Sequence, residues 1–539
     1  MKTNFVFVAG GVMSGVGKGI ATASMARILK EYGYKVTAIK IDPYLNVDAG
    51  TMNPTEHGEV FVTKDGLESD QDLGNYERFL DQDIVRENYM TTGMVYQSVI
   101  ERERNLGYNG KCVEVIPHIT DEVEQRIKRV ARHQKMDFVF IEIGGTVGEY
   151  QNLVYLEAAR IMKLKYGEQV AFVLVSYFPV PSMVGEMKTK PTQHAVRSLN
   201  SVGIQPDLIL ARSTVPLDEV RKRKVSTFCN VHPRDIISAP DISTIYQVPV
   251  NFEHDHLGKR LLEKFGKKPR KTDGKQWRAM VRTIKRSTRP VKIGVVGKYF
   301  GTGDFVLSDS YISVIEAIKH GAWANKRKPE ITWINAEEFE ASPAKVKMLA
   351  NFDAIIVPGG FGKRGVAGKL RAIKYVRENN IPFLGLCYGL QLAVIEFSRS
   401  VAGLKKANTP EIEPTTKQPV ITTMEDQVKK IAEKDLGGTM RLGHYSCRLT
   451  PKSKSRDLYG KNVIWERHRH RYEVNPKYVA TLQKKGMLIA GTNPGSGLVE
   501  IIELPKHKFF VATQFHPEFQ SRPLSPHPLF AGLVAAASK

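Results

Sequence analysis

The apolar positions of this chain fall in short, nearly unbroken runs rather than in alternation with polar ones. From Asn4 to about Phe265 the runs FVFVAG, KVTAIKID, FVFIEIGG, AFVLVSYFPV and DLILARS are separated by helical or irregular stretches. Runs of this kind suit strands covered on both faces, so this half predicts a parallel sheet wrapped by helices. The pattern then restarts. VKIGVVG, EITWINA, DAIIVPGG and IPFLGLC predict a second α/β domain, finishing with the β-rich segments MLIAGT, LVEIIEL and FFVATQF. The expectation is an α/β chain of two domains, 1–265 and 291–539, each with a mainly parallel sheet flanked by helices, joined by a linker at 266–290. ANTPEIEPTTKQP, at 407–419, reads as an extended loop.

Composition narrows the class. A length of 539 residues exceeds one ordinary core, and 42% hydrophobic with 25% charged residues is ordinary for a globular protein. No stretch approaches the ~18 continuous apolar residues of a membrane span, and the N-terminus runs straight into a strand and glycine loop, so neither a membrane partner nor a secretory signal is expected. Cys112, Cys229, Cys387 and Cys447 are widely spaced with no CxxC pair. That argues against a disulfide framework or structural zinc and favours a reducing, cytoplasmic setting.

The net charge of +23 is concentrated: between Lys259 and Arg289 stand 13 Lys or Arg against Glu263 and Asp273, a local excess of +11. Gly and Pro mark this stretch as an interdomain connection, with one short helix around Trp277 to Ile284. It is either a solvated linker or a polynucleotide site. Neither RNA-recognition aromatics nor a zinc-finger spacing accompanies it, so no nucleic-acid partner is expected.

GGVMSGVGKGIATASMARILK follows the first strand, and Ala21, Met25, Ile28 and Leu29 share one helical face. Strand, glycine loop and helix present backbone N–H groups to phosphate, with Lys18 adding charge near the terminal phosphates. The loop departs from the ordinary P-loop: the Gly11 to Gly17 spacing is one residue too long, and Gly19 stands where a metal-binding Ser or Thr would be. Magnesium would need other oxygens. Asp70 and Asp72 in ESDQDLGNYERF and Glu142 at the end of FVFIEIGG are the candidates, unless these acids merely cap loops. GEMKTKPTQH, at 185–194, gathers Lys188 and Lys190 in an expected loop, either a second polyphosphate site or a charged surface.

GLCYGLQ puts Cys387 on the corner between a strand and a helix, flanked two positions away by Gly385 and Gly389. This is either a nucleophile elbow, with the helix N-terminus favouring thiolate, or a compact buried thiol beside turn glycines. Downstream, FHPEF supplies His516 and Glu518, whose i, i+2 spacing in an extended segment lets the acid orient the imidazole. VPGGFGKRG supplies Gly359 and Gly360, whose N–H groups suit a developing oxyanion. Together these point to acyl transfer from an amide through a thioester.

PGGFG, GLCYGLQ and QFHPEF, in that order, resemble the triad-type glutamine amidotransferase domain. DPYLNVDAGTMNPTEHGEVFVTKDG, DQDLGNYERF, VIPHIT, IEIGGTVG, GEMKTKPTQH, DLGGTMRLG and ERHRHRYEVN resemble the CTP synthase family over nearly the whole chain. The resemblance implies a P-loop-like amidoligase domain followed by a glutaminase, converting UTP to CTP with ATP and glutamine. It implies that Ser14, Gly15, Val16, Gly17, Lys18, Gly19, Lys40 and Asp72 bind ATP, and that Asp72 and Glu142 hold Mg2+. UTP, and CTP as overlapping feedback inhibitor, would use Ser14, Glu149, Tyr150, Gln151, Lys188, Thr189, Lys190, Pro191, Thr192, Gln193 and Lys224. Glutamine would meet Gly359, Gly360, Tyr388, Gly389, Leu390, Gln391, Glu411 and Arg471, with Cys387, His516 and Glu518 catalytic. GTP as activator, a homotetramer and filaments are further family expectations.

The loop reads MSGVGKG where the family commonly has VSSLGKG or VSGLGKG, and Tyr388 follows the nucleophile where Leu is frequent. Both changes keep the backbone donors and Lys18. Two other readings stay open at the level of sequence: a cobyric-acid-synthase-like amidotransferase, and a nucleotide-gated assembly protein with an inactive glutaminase.

Overall fold

The computed structural model describes residues 2–539 apart from 184, 299–300, 303–304, 307, 425–426 and 428–437. Asp435 to Gly437 of the DLGGTMRLG motif therefore lie outside the described residues. The chain forms two compact units, one of Met1–Asp48 and Asn75–Val281, the other of Ala49–Gly74 and Arg282–Lys539.

In the first unit, seven parallel strands among the described residues run in the order Tyr89–Thr91, Val36–Asp42, Phe138–Ile143, Asn4–Gly11, Val170–Tyr177, Leu208–Ser213 and Ile236–Pro240. Every residue of Asn4–Gly11, Val36–Asp42 and Phe138–Ile143 is buried, which is why their sequences lack a polar face. All five strands expected here are present. The two edge strands were not expected, because three and five residues leave too short a pattern to read. Within the basic stretch, Lys275–Arg286 is a helix whose Trp277 is buried and donates from Nε1 to the Tyr246 carbonyl at 2.8 Å. Arg270 forks onto Asp137 at 2.7 and 2.9 Å.

The second unit holds a nine-stranded sheet among the described residues. Its order is Lys328–Asn335, Pro290–Gly297, Ala354–Val357, Phe383–Leu386, Phe510–Thr513, Val499–Glu503, Leu488–Thr492, Arg441–Leu449 and Val463–His470. The first five pair in parallel and the remainder antiparallel. Apolar clusters cover both faces of this sheet.

Residues 49–74 are built into this unit by specific bonds. Glu59 accepts from Ser313 N–H at the start of the helix Ile312–Ala324, Arg469 pairs with Glu68 at 2.8 Å, and Arg467 donates to the Val62 carbonyl at 3.1 Å. Phe61 packs edge-on against Phe519. Among the described residues no helix is long and apolar enough to cross a membrane.

Candidate functional site

The first strand of the first unit leads into the loop Val12–Gly17 and the helix Lys18–Glu31. Val12, Gly15 and Gly17 take positive φ of 81°, 69° and 91°, a left-handed sequence that turns the loop tightly. The Lys18 side chain folds back across Gly10, where an added methyl would stand 2.8 Å from both Cδ and Nζ. A side chain at position 10 would displace the lysine from this path. Ser14 and Gly15 are exposed, whereas Val16 and Lys18 are buried.

Beside the loop lies a cavity of about 200 Å³ lined by Gly17, Ile20, Ala21, Ile242, Phe252 and others. Arg212 walls it, donating to the carbonyls of Val16 at 3.3 Å and Ala239 at 2.6 Å and pairing with Asp241 at 2.8 Å. The sequence reading missed Arg212 and Asp241. The signal for Arg212 was available, since it falls at the carboxyl end of the expected strand DLILARS, where parallel sheets bind ligands; Asp241 follows an edge strand too short to read.

Lys40 and Glu142 are register partners on adjacent strands, and Nζ meets the Glu142 carboxylate at 3.0 Å and that of Asp42 at 3.7 Å. The Tyr76 hydroxyl donates to the other Glu142 oxygen. Asp72 opens the helix Asp72–Leu80, its N–H donating to Asp70 at 2.8 Å.

The expected loop at 185–194 is helical from Lys190: the helix Lys190–Ser201 carries Pro191 in its first turn, where a fixed φ favours helix and no N–H is lost. Thr192 bonds Ser176 at 2.8 Å, and Gln193 bonds Thr189 at 3.1 Å. Exposed Lys188 pairs with Glu186 at 2.7 Å. Lys188 first, then Arg221 and Lys224, hold the Glu186 carboxyl below its usual range, so Lys188 and Lys224 share one local field. Glu149 packs over Gly145, while Tyr150 and Gln151 line a cavity of about 580 Å³ with Leu45, Val115 and Ile116.

In the second unit Cys387 sits between the strand Phe383–Leu386 and the helix Tyr388–Ser400 with φ 50° and ψ −97°, a conformation that a non-glycine residue holds only under constraint. The constraint is visible. Its N–H donates to Thr513 at 2.7 Å, and a methyl on Gly389 would stand 2.2 Å from the Val357 carbonyl. Gly385 is also tightly packed, 2.9 Å from Ala512 Cβ by the same measure. The flanking glycines are therefore demanded by backbone approach, as a nucleophile elbow requires.

His516 Nδ1 bonds Glu518 at 2.7 Å, and the ring stacks on Phe519 with centroids 5.0 Å apart. Glu518 reaches the imidazole from a 3₁₀ turn, Pro517–Gln520, rather than from the extended segment expected, because Pro517 starts a helical turn. Burial alone would strip the proton from His516. The Glu518 carboxylate and the Cys387 sulfur outweigh it and raise the imidazolium pKa to about 10. Cys387, His516 and Glu518 line one cavity of about 90 Å³ with Gly359, Gly360 and Arg469, and it extends to Glu59 and Val60 of the 49–74 segment.

The remaining glutamine-contact candidates are engaged elsewhere. Gln391 donates to the Tyr472 carbonyl at 3.0 Å, and Arg471 donates to Gln427 at 2.7 Å and Thr439 at 3.0 Å. Glu411 accepts from Gly362 N–H at 2.6 Å, and the Tyr388 hydroxyl donates to the Gly362 carbonyl at 2.8 Å, so both shape the glycine loop. Gly389 and Leu390 are buried in the first turn of the helix.

Beneath that loop, Lys369 is fully buried with its ammonium unbonded, 5.5 Å from the Tyr388 ring centroid. Burial, then Lys298, push its pKa down from 10.5 to about 7, with Glu411 opposing them. Between those values the unfolded chain binds more protons than the folded one, so this lysine's cost is full below about pH 7 and fades as pH rises toward 10.5. Lys369→Met is expected to stabilise the second unit by roughly 4 kcal/mol at low pH, with the gain shrinking toward alkaline pH. Urea midpoints measured across pH check this, and a gain independent of pH would refute it.

A parallel sheet with a glycine loop in one unit, and a cysteine elbow with a bonded His–Glu pair in the other, place the chain among the glutamine amidotransferases. Residues 306–536 match the family model described as glutamine amidotransferase class-I, and residues 4–266 match that described as CTP synthase N-terminus. The chain is similar to the CTP synthase of Thermococcus gammatolerans, 52% identical over 99% of this chain and 98% of the relative. It is likewise 52% identical to that of Thermococcus kodakarensis, over 100% and 99%, and 50% identical to that of Gloeothece citriformis, over 99% and 94%. The chain belongs to the CTP synthase family.

Proposed function

We propose that the chain aminates UTP at C4, using ATP and ammonia released from glutamine, to give CTP, ADP, phosphate and glutamate. The observation that carries this reading is the Cys387 elbow facing one cavity with the bonded His516–Glu518 pair, in a chain that matches both halves of the family.

In the second unit Cys387 Sγ attacks the side-chain amide carbon of glutamine. The oxyanion is held by backbone N–H groups of the Gly359–Gly360 loop, the amide nitrogen leaves as ammonia after taking the His516 proton, and water hydrolyses the thioester with His516 as base. Gly360, Tyr388, Gly389, Leu390, Gln391, Glu411 and Arg471 are assigned to the glutamine site, where Arg471 would exchange its bonds to Gln427 and Thr439 for the α-carboxylate. Ammonia is mostly ammonium in neutral water. The cavity's extension to Val60 and Glu59 supports a protected exit for the reactive form.

In the first unit the C4 oxygen of UTP takes the γ-phosphoryl group of ATP, which converts it into a leaving group that ammonia displaces. The Ser14–Gly19 loop cradles ATP phosphates, and the cavity at Arg212 suits the adenine, with apolar Ile20 and Ile242 for its faces. Lys40 offers charge to the phosphoryl group in transfer. Glu142 offers the hard oxygen donors that Mg2+ takes, and its buried carboxylate, now neutralised by Lys40, fits a cation. When bound, magnesium supplies charge neutralisation between the two polyphosphates. UTP takes Ser14, Lys188 to Gln193 and Lys224, and CTP overlaps it as inhibitor with Glu149, Tyr150 and Gln151 reading the base.

The wider assignment adds GTP as activator of glutamine hydrolysis, a homotetramer, filaments as a higher assembly, and the reducing cytoplasm, where a nucleophilic thiol persists. Exposed Leu45, Val115 and Ile116 around the 580 Å³ cavity support self-association. The test of the reaction is chromatographic detection of CTP from UTP, ATP and Mg2+ with glutamine or ammonium. No CTP from either donor would sink it.

A further inference from the structure

The strand Phe510–Thr513 runs into Gln514, which has the same i, i+2 relation to His516 that puts neighbouring side chains on one side of an extended segment. Gln514 is completely buried, and its N–H bonds the Glu500 carbonyl at 2.8 Å. Its side-chain amide reaches the nucleophile: Nε2 lies 3.8 Å from Cys387 Sγ, while its own Oε1 has no hydrogen-bond partner among the described residues. The Arg469 carbonyl stands 3.7 Å from the same sulfur as acceptor for the thiol proton. The Arg469 guanidinium is turned to Glu68. Sγ thus has an acceptor for its S–H form and, in Gln514, a neutral donor for its S⁻ form.

We propose that Gln514 is a further catalytic residue of the glutaminase, its amide N–H donating to the Cys387 thiolate so that the nucleophile is held anionic and aimed while His516 keeps its proton for the leaving nitrogen. This rests on the glutaminase reading above. The buried setting makes the bond effective, because a hydrogen bond to a charged acceptor strengthens where water is excluded. A donor on sulfur also accounts for an amide left with one end unbonded, an arrangement that otherwise only costs desolvation. The charged and titratable groups lining the cavity with the sulfur are His516 and Glu518 at the Pro517 turn, Arg469 from the strand Val463–His470, and Glu59. Burial drives His468 and His470, which flank Arg469 on that strand, far toward the neutral form.

The test compares wild type with Gln514→Met, which keeps length and removes the donor, and with Gln514→Glu, which keeps shape and places an anion at the sulfur. Two readouts are taken, glutamate release from glutamine and alkylation of Cys387 by iodoacetamide. Alkylation is followed on the Cys387 peptide because exposed Cys112 also reacts. Thermal unfolding monitored by circular dichroism establishes that each variant is folded. The expected result for Gln514→Met is a fall of about 10- to 100-fold in kcat/KM for glutamine. Alkylation should be about tenfold slower near neutral pH and should recover in alkali, where the thiolate forms unaided; Gln514→Glu should be slower still. Alkylation by folded Gln514→Met at the wild-type rate would overturn the proposal, as would faster alkylation, which would mean that the amide carbonyl faces sulfur. If wild type itself released no glutamate, the glutaminase reading would fail instead.

Discussion

Cys387→Ala is expected to lower CTP formation from glutamine by about 10,000-fold or more while ammonium still supports synthesis. The reason is that no other thiol can stand in. Burial pushes the Cys229 thiol up to about 11 and the Cys447 thiol higher still, so both remain protonated. Cys112 is exposed and belongs to the first unit. Cys387 shares a cavity with His516, whose retained proton makes it a donor to the departing nitrogen. The elbow geometry adds a second expectation: since alanine tolerates φ 50° no better than cysteine, the variant keeps the fold and loses only the sulfur chemistry. Glutamate release assayed beside CTP formation checks this. Substantial glutamine hydrolysis by the variant would remove Cys387 from the mechanism.

The converse result is expected from Lys18→Met, which should reduce CTP formation from both nitrogen donors by about 1,000-fold and leave glutamine hydrolysis in place. Lys18 is the first residue of the helix that follows the glycine loop, and its side chain lies across Gly10 at the end of a buried strand. Its charge is thereby held beside the N–H groups of the loop, where polyphosphate is expected, and methionine keeps the packing while deleting that charge. Steady-state rates with glutamine and with ammonium, each against ATP concentration, decide it. A variant impaired only with glutamine would place Lys18 outside the phosphoryl-transfer step.

The parts of this molecule that the sequence made legible are those set by local constraint. Buried strands such as Phe138–Ile143 declare themselves as unbroken apolar runs, because neighbours on both faces leave no room for polar residues. The Cys387 elbow was legible for a similar reason: Gly385 and Gly389 are required by contacts under 3 Å, and that requirement is written in adjacent residues. What escaped depends on distant partners. Nothing in the pattern of residues 49–74 announces that Glu68 meets Arg469, or that Val62 meets Arg467, some 400 positions away. The first turn of the helix Lys190–Ser201 falls within 185–194, where a loop is expected from its charged and polar residues, although Pro191 suits a helix start. Arg212 went unnoticed inside an apolar run whose final polar residues look like a strand end and turn out to wall a cavity.

One chain both releases nitrogen from glutamine and places it on a pyrimidine nucleotide. The most direct measurement supplies the enzyme with UTP, ATP, Mg2+ and glutamine labelled with nitrogen-15 at the side-chain amide, and follows the label by mass spectrometry. Labelled CTP and unlabelled glutamate are expected in equal amounts, with the label lost from CTP in Cys387→Ala when unlabelled ammonium is added. Glutamate appearing without CTP, under conditions where ATP and UTP are saturating and the protein is folded, would contradict it.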